Sequence, residues 1–186
     1  MSRPRRAGRV SKEQWLAAAL EELEKGGIEA VRVERLAKIL SVARSGFYWH
    51  FKDRNDLYKH LLDYWFHEYT EVVTTNPLLA TGDPETRLKR VTKMIEEQDL
   101  GKYDLAIQSW AKHDETALKA VNRVIEFRMK FLRQIFHDLG FTGDELEMRT
   151  MLFVCYHTWE SATFDVSSPR KRARLRKLRL DLLTGK

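Results

Sequence analysis

Hydrophobic residues recur along most of the chain at the three- and four-residue spacing of an amphipathic helix. The first such segment runs from Ser11, a good N-cap residue, to Lys25, and Gly26-Gly27 ends it. A second segment, residues 33–40, places Val33, Leu36, Ala37 and Leu40 on one face. No segment shows the two-residue alternation of a strand, so the pattern predicts an all-α protein.

Four residues, 41–44, separate the second helix from a compact aromatic segment at 45–51. Two short helices joined by a tight turn are typical of a helix-turn-helix. A longer helix at 55–75, started by Asp53 or Asn55, follows and ends near Asn76-Pro77. We therefore predict a three-helix N-terminal domain at 1–54 with a basic N-terminal arm.

The rest of the chain, 55–186, is predicted to form a larger helical bundle. After the 55–75 helix the periodicity predicts five more helices, and glycine or proline marks most of the breaks between them. They lie at about 84–98, 102–111, 114–139, 144–165 and 169–183. The whole chain is thus expected to contain about nine helices.

The composition narrows the class of protein. A single cysteine, Cys155, excludes an internal disulfide and a multi-cysteine zinc site, and we expect it to be a small core residue. No apolar run approaches the roughly 18 residues of a membrane helix, and the basic N-terminus has no apolar stretch after it. We expect a cytoplasmic protein without a membrane partner, metal or cofactor.

The net charge of +6 is unevenly distributed, since residues 1–54 alone carry +5. Within the arm, Arg3, Arg5, Arg6 and Arg9 have no acidic neighbour, which suits either a contact to DNA or a solubilising tail. A second basic run at 170–179 is interpreted as the solvated face of an amphipathic helix, in preference to a nucleic-acid or membrane-surface site.

The aromatic segment 45–51 contains candidate functional residues. On a helical wheel Phe47 and Phe51 share one face, which we predict to be core, while Ser45, Tyr48 and Trp49 lie on the far side. Exposed Tyr and Trp indicate a partner, and a short helix of this kind fits the major groove of DNA. The alternative is that Tyr48 and Trp49 fold back onto the 55–75 helix as core.

The stretch Leu40–Arg54, with its Phe-Tyr-Trp-His-Phe-Lys-Asp run, resembles the recognition segment of TetR-family repressors. Gly27–Val31 and Leu36-Ala37 match the approach to it. The resemblance is specific over about residues 11–62; beyond them only helix number and length agree. It implies a dimer that binds a palindromic operator in double-stranded DNA.

The resemblance also implies which residues contact DNA. Arg44, Ser45 and Gly46 correspond to positions that touch base edges and backbone, Tyr48 and His50 to the phosphate-contacting pair, and Lys52 to a basic residue beside the backbone. Arg32 is a further phosphate candidate and Trp49 completes the exposed set. Two positions depart from the family pattern, because Arg32 and Ala43 stand where Ser or Thr caps are usual; Ser41 is an alternative start for the recognition helix.

For the C-terminal bundle the resemblance implies dimerisation through the last two helices and a ligand cavity among the middle ones. Apolar stripes support the first: Leu146, Met151, Leu152, Cys155, Trp159 and Ala162 on one helix, and Leu175, Leu178 and Leu182 on the next. The candidate ligand-binding residues are Trp110, His113, Phe127, Phe131, Tyr156 and Trp159, with His157 as a further polar option. They suggest a largely apolar small-molecule effector.

Two other classes of function stay open at this point. The first is a helix-turn-helix protein without a small-molecule effector, which activates transcription, binds RNA or is controlled by a protein partner. The second is an α-helical enzyme, but no zinc-protease, di-iron, phosphate-loop or serine-hydrolase motif occurs in the sequence, and the His157/Glu160 pair has no partner ligands. We expect a DNA-binding regulator that is not an enzyme.

Overall fold

A computed structural model describes residues 10–163 and 168–185. The predicted basic arm therefore lies outside the described residues. Within those two ranges the chain is helical and contains no strand, which confirms the predicted all-α class. The α-helices are α1 Lys12–Gly26, α2 Val33–Ile39, α3 Arg54–Phe66, α4 Val72–Thr74, α5 Pro77–Ala80, α6 Pro84–Glu97, α7 Asp104–Ala111, α8 Glu115–Asp138, α9 Gly143–Thr163 and α10 Pro169–Thr184.

The chain forms two compact units that divide between Tyr64 and Trp65, inside α3. The predicted functional division between residues 54 and 55 stays a prediction. None of the helices in the two described ranges has the length and apolar character needed to cross a membrane.

The first unit begins with a well-capped helix. The Ser11 hydroxyl accepts from the Gln14 backbone N–H, and the Gln14 side chain accepts from the Ser11 N–H at 2.8 Å, so α1 starts with a capping box. Its end is set by Gly27, whose φ of 68° lies in the left-handed region that favours glycine. The inward faces of α1, α2 and α3 supply the core residues Leu16, Leu20, Leu23, Leu36, Leu57 and Leu61.

The predicted recognition helix is a 3₁₀ helix, Arg44–Trp49, which is tighter than an α-helix. Its N-cap is Ala43, whose side chain cannot bond a backbone N–H. The alternative start at Ser41 is wrong, because Ser41 has a φ of 55° and belongs to the turn that follows α2. Asp53 accepts from the Asp56 N–H at 2.9 Å and so starts α3, rather than Asn55.

In the second unit α8 packs against α6, α7 and α9. Aspartates start two of these helices: Asp83 accepts from Thr86 N–H and Asp114 from Ala117 N–H, at 2.9 and 2.8 Å. The side chains buried between the helices include Leu88, Val91, Ile135, Phe136 and Phe153. Arg133 on α8 also binds both carboxylate oxygens of Glu147 on α9, at 2.6 and 2.8 Å.

The helix predicted at 55–75 is continuous in its course but not in its winding. After α3 the chain makes one π turn, His67–Glu71, before α4 resumes the α-helical winding. The short α5 was not predicted; Pro77 begins it and the Asn76 side chain caps it. Turns of this π type are rare in proteins, and those that occur often lie at functional sites.

Two predictions about α9 and α10 need correction. Cys155 is exposed and is not a core residue, because no described residue covers the face of α9 that carries it. The solvated-face interpretation of residues 170–179 fails for Arg176 and Arg179, which turn inward and lie 3.0 and 3.4 Å from Glu96 on α6. The other basic residues of that run are exposed.

Candidate nucleic-acid interface and interior cavity

The recognition segment, residues 44–52, is anchored by its two phenylalanines. Phe47 is fully buried, with its ring 5.7 Å from that of Trp15 on α1 and 5.0 Å from that of Phe51. Phe51 is also buried and contacts His60 on α3. Both rings therefore fix the segment to the domain core, as the helical wheel predicted.

The opposite side of this segment faces away from the core. Tyr48 is 54% exposed and Trp49 is 74% exposed, and Ser45 is exposed beside them. The interpretation of Tyr48 and Trp49 as core residues is therefore wrong: the core positions beneath them are filled by Phe47 and Phe51. Two large aromatic side chains therefore lie on the surface of this domain.

Arg44, at the start of the segment, is held by two neighbours. Its Nη1 lies 2.9 Å from Glu34 on α2, and its Nη2 donates to the Tyr48 hydroxyl at 3.4 Å. The hydrogen bond to Tyr48, followed by the charge of Glu34, raises the pKa of Arg44. The guanidinium is thereby placed on the same exposed side as Tyr48.

The remaining predicted contact residues have different surroundings. His50 brings its Nε2 within 2.9 Å of the Val10 carbonyl oxygen, which joins the segment to the residue before α1. Arg32 is exposed, and its Nε donates to the Glu29 carbonyl oxygen at 2.9 Å. It is the N-cap residue of α2, but its side chain makes no capping hydrogen bond. Lys52 is exposed, and its backbone N–H donates to Asp56.

Gly46 lies on the recognition segment with space around it. A Cβ atom built on Gly46 would come no nearer than 3.9 Å to the Trp15 ring, an ordinary contact distance. The protein interior therefore does not require glycine at this position.

The second unit contains a partly open cavity of about 40 Å³. Apolar side chains from α4, α6, α8 and α9 form most of its walls, including Val73, Val91, Phe131, Leu132, Phe153 and Val154. Its polar edge consists of Thr70, Asp104, Arg128 and His157. An apolar cavity with a few polar groups at one edge is typical of a small-molecule site.

Arg128 ties this polar edge to the helical run that begins with α3. It forms an ion pair with buried Asp104, and its Nη2 donates to Thr70 Oγ1 at 2.9 Å, within the π turn. Asp104 in turn accepts from the indole Nε1 of Trp65 at 3.1 Å. One hydrogen-bonded network therefore links the cavity wall to both ends of the segment from Trp65 to Thr70.

Residues 16–61 match the family model of bacterial regulatory proteins of the tetR family. The N-terminal domain is therefore similar to that of tetR-family regulators. This match covers the core that holds Phe47 and Phe51 and the exposed segment they anchor, so the DNA-binding helix-turn-helix is the shared part.

The fold of the whole chain is similar to that of solved transcriptional regulators. A transcriptional regulator from Rhodococcus sp. Rha1 has a TM-score of 0.72 at 16% identity, with 95% of each chain covered. The regulatory protein TetR from Rhodobacter sphaeroides has a TM-score of 0.65 at 21% identity, covering 92% of this chain and 94% of that one. A putative transcriptional regulator from Pseudomonas aeruginosa PAO1 has a TM-score of 0.64 at 15% identity, covering 97% and 95%. No curated protein matches the sequence.

The predicted ligand-binding residues do not share one cavity. Phe131 lines the cavity, as does the additional candidate His157. Buried Trp110 is not among the lining residues, His113 is exposed, and Phe127 packs its ring 5.1 Å from Phe66. Tyr156 and Trp159 line a different, open groove between α9 and α10.

Sequence reasoning missed Thr70, Asp104 and Arg128. All three are polar residues on faces that are otherwise apolar: Thr70 falls at helical spacing between Phe66 and Val73. A polar residue inside an apolar stripe is the signal that could have identified them, because such a residue needs a buried partner.

Proposed function

We propose that this TetR-family protein is a homodimeric transcriptional repressor that binds a palindromic DNA operator and leaves it when a small molecule occupies the bundle. The DNA-binding part of this proposal is supported by the recognition segment, which has one buried side and one exposed side. Phe47 and Phe51 fix it to the core, while Arg44, Tyr48 and Trp49 point outward.

The proposed DNA contacts follow from the chemistry of each side chain. Arg44 can donate two hydrogen bonds to guanine O6 and N7, and Tyr48 can donate to a phosphate. Gly46 allows the segment to approach the DNA backbone closely. The complete proposed interface consists of Arg32, Arg44, Ser45, Gly46, Tyr48, Trp49, His50 and Lys52.

Dimerisation is proposed to use one face of α9 and α10. The exposed large apolar side chains of this face are Met148, Met151, Leu152, Trp159, Leu175, Leu178 and Leu182. So extensive an apolar face would be a liability on a monomer, and a second copy would cover it with a matching surface. The TetR-family resemblance supports the same pair of helices.

Ligand control is proposed to act through the cavity network. Because α3 runs across the division between the two units, a change at Trp65 acts on a helix that also belongs to the DNA-binding unit. A ligand can shift the protein only by binding one arrangement of the bundle better than the other. We propose that the favoured arrangement changes the spacing of the two recognition segments in the dimer.

The same proposal places the protein in the cytoplasm, without a cofactor and without enzymatic activity. The cavity favours a small-molecule effector over control by a protein partner alone. Its apolar walls and its few polar groups suit a small ligand better than a protein surface.

Genome-wide binding followed by footprinting tests the proposal. We expect palindromic protected sites whose half-sites lie about one helical turn, or a multiple of it, apart. Leu152→Glu and Leu178→Glu should convert the dimer to a monomer and abolish protection. Lys93→Glu, at an exposed position of α6, should change neither the dimer nor the protection. Protection of single half-sites by a monomer would contradict the dimeric proposal.

A further inference from the structure

Arg44 and Glu34 form an ion pair on the exposed side of the recognition segment. Nη1 of Arg44 lies 2.9 Å from Oε1 of Glu34, and Nη2 donates to the Tyr48 hydroxyl at 3.4 Å. More than half of each charged side chain is exposed. An exposed pair of this kind adds little to stability. Both charged groups remain accessible to a partner outside the domain.

Both members of the pair keep hydrogen-bonding groups that no described residue uses. A guanidinium has five N–H donors, and Arg44 directs one of them to Glu34 and one to Tyr48. Three donors are therefore left. The Glu34 carboxylate contacts Arg44 through Oε1, and its Oε2 has no partner among the described residues. The pair thus offers donors and an acceptor side by side.

A G·C base pair shows the complementary groups along its edge in the major groove. Guanine contributes two acceptors, N7 and O6, and cytosine contributes the N4–H donor next to O6. Two N–H donors of Arg44 followed by a carboxylate oxygen of Glu34 match this order. The spacing also fits: the Nη1 to Oε1 distance is 2.9 Å, and O6 and N4 are joined by a hydrogen bond of about 2.9 Å.

Other base pairs and the phosphate backbone fit the ion pair less well. An A·T pair shows acceptor, donor and acceptor in turn, so adenine N6–H would meet an N–H of Arg44 and thymine O4 would meet the carboxylate. A reversed G·C pair places the cytosine donor against the guanidinium. A phosphate that approaches Arg44 is repelled by Glu34. The carboxylate therefore favours one base pair, in one orientation, over the alternatives.

We propose that Glu34 is a specificity-determining residue, and that the Glu34–Arg44 pair reads one G·C base pair in each operator half-site. Arg44 donates to guanine O6 and N7, and Glu34 accepts from cytosine N4. This proposal rests on the proposed function, because it requires that the recognition segment lies in the major groove. It adds Glu34 to the proposed interface and specifies the chemistry of one operator position.

N4-methylcytosine tests the Glu34 contact without altering guanine. This base still pairs with guanine, but a methyl group replaces the hydrogen that points into the major groove. Operator duplexes recovered by footprinting carry it at one cytosine position at a time, in both half-sites. At one position it should lower the affinity of the parent at least about tenfold, because the carboxylate loses its donor. Glu34→Ala should bind the methylated and unmethylated duplexes equally well.

Glu24→Ala, at an exposed position of α1, is the matched control and should keep the preference of the parent for the unmethylated duplex. Because the side chain of Glu34 is largely exposed, Glu34→Ala should fold as the parent does, which urea denaturation checks. The proposal is overturned if no methylated position weakens binding by the parent. It is also overturned if methylation weakens the parent and Glu34→Ala equally.

7-Deazaguanine, which lacks the N7 acceptor, separates this proposal from the proposed function. At the paired guanine it should weaken the parent at least about tenfold, whereas Arg44→Ala should not distinguish it from guanine. If deazaguanine acts in this way and N4-methylcytosine has no effect, Arg44 reads DNA as proposed and the role of Glu34 fails. If the cytosine effect depends on Glu34 and no small molecule releases the protein from DNA, the inference stands and the proposed ligand control fails.

Discussion

Nη1 of Arg44 lies 2.9 Å from Oε1 of Glu34, so the cation proposed to read DNA is held by a carboxylate on the preceding helix. Both side chains are largely exposed, and an exposed ion pair of this kind contributes at most about 1 kcal/mol to stability. Its main effect is therefore expected on DNA binding, where Glu34 also repels phosphates.

Glu34→Gln should raise the affinity for non-specific DNA. One charge at about 4 Å in water is worth about 1 kcal/mol, or roughly fivefold in affinity. The gain should shrink as salt increases, because it is electrostatic. Fluorescence anisotropy with operator and random duplexes measures the change in affinity. Glu24→Gln, at an exposed position of α1, is the matched charge control. Weaker binding of both duplexes by Glu34→Gln would show instead that Glu34 is needed to position Arg44.

Gly46→Ala should weaken DNA binding without destabilising the protein. The added Cβ fits beside Trp15, and alanine lowers the entropy of the unfolded chain, so the free energy of unfolding should stay within about 1 kcal/mol of the parent. Operator affinity should fall about tenfold or more, because a bidentate base contact worth about 1–3 kcal/mol depends on close approach. Unchanged affinity would show that the segment does not approach DNA at Gly46.

The helix-turn-helix was predictable from sequence because its signal is local. The spacing of Phe47 and Phe51 and the polar residues between them determine which side is buried, and the structure confirms this pattern. The type of helix was not predictable from sequence at two places, the 3₁₀ helix at residues 44–49 and the π turn at 67–71. Both depend on packing, and the π turn also has Arg128 as a hydrogen-bond partner.

The cavity was harder to predict because it combines residues from distant parts of the chain. Thr70, Asp104 and Arg128 meet only when the helical bundle folds, and no sequence spacing relates them. Aromatic residues such as Trp110 and Phe127 were weak indicators, since at helical spacing they pack into the core as readily as they line a pocket. The exposed apolar face of α9 and α10 was predictable from the apolar stripes in the sequence. The surface that covers this face was not predictable.

Gly101→Ala should destabilise the second unit. A Cβ at this position would lie 2.8 Å from the backbone oxygen of His157, closer than real Cβ contacts, and backbone on α9 cannot move aside cheaply. We expect a loss of about 1–3 kcal/mol in the free energy of unfolding, measured by urea denaturation. Gly46→Ala is the matched control, because the same added methyl group fits there. Equal stabilities of the two variants would contradict the close approach.

Stability should fall in mild acid because His157, whose Nε2 is buried, is neutral in the folded protein. Its folded pKa lies well below the unfolded value of 6.5, so below pH 6.5 the unfolded chain binds a proton that the folded chain does not. Stability from this residue is thus present above pH 6.5 and is lost as pH falls towards the folded pKa, by about 1.4 kcal/mol per pH unit. The charged groups near His157 are common to the parent and to a His157→Gln variant; they are Arg128, Arg176, Arg179, Asp104 and Glu96.

Denaturation of the parent and of His157→Gln between pH 7.5 and about 5 isolates this contribution. The parent should lose stability more steeply than the variant below pH 6.5, and the two slopes should agree above it. Parallel curves across the whole range would mean that His157 is protonated in the folded protein.

Operator affinity of Arg44→Ala and Tyr48→Ala, measured on a site recovered by genome-wide footprinting, tests the central claim most directly. Each variant should bind at least about thirtyfold more weakly, because both half-sites of the dimer lose a contact worth about 1–3 kcal/mol. Sedimentation should show that both variants remain dimers. Parent-like operator affinity in both would contradict the account that this face of the recognition segment reads DNA.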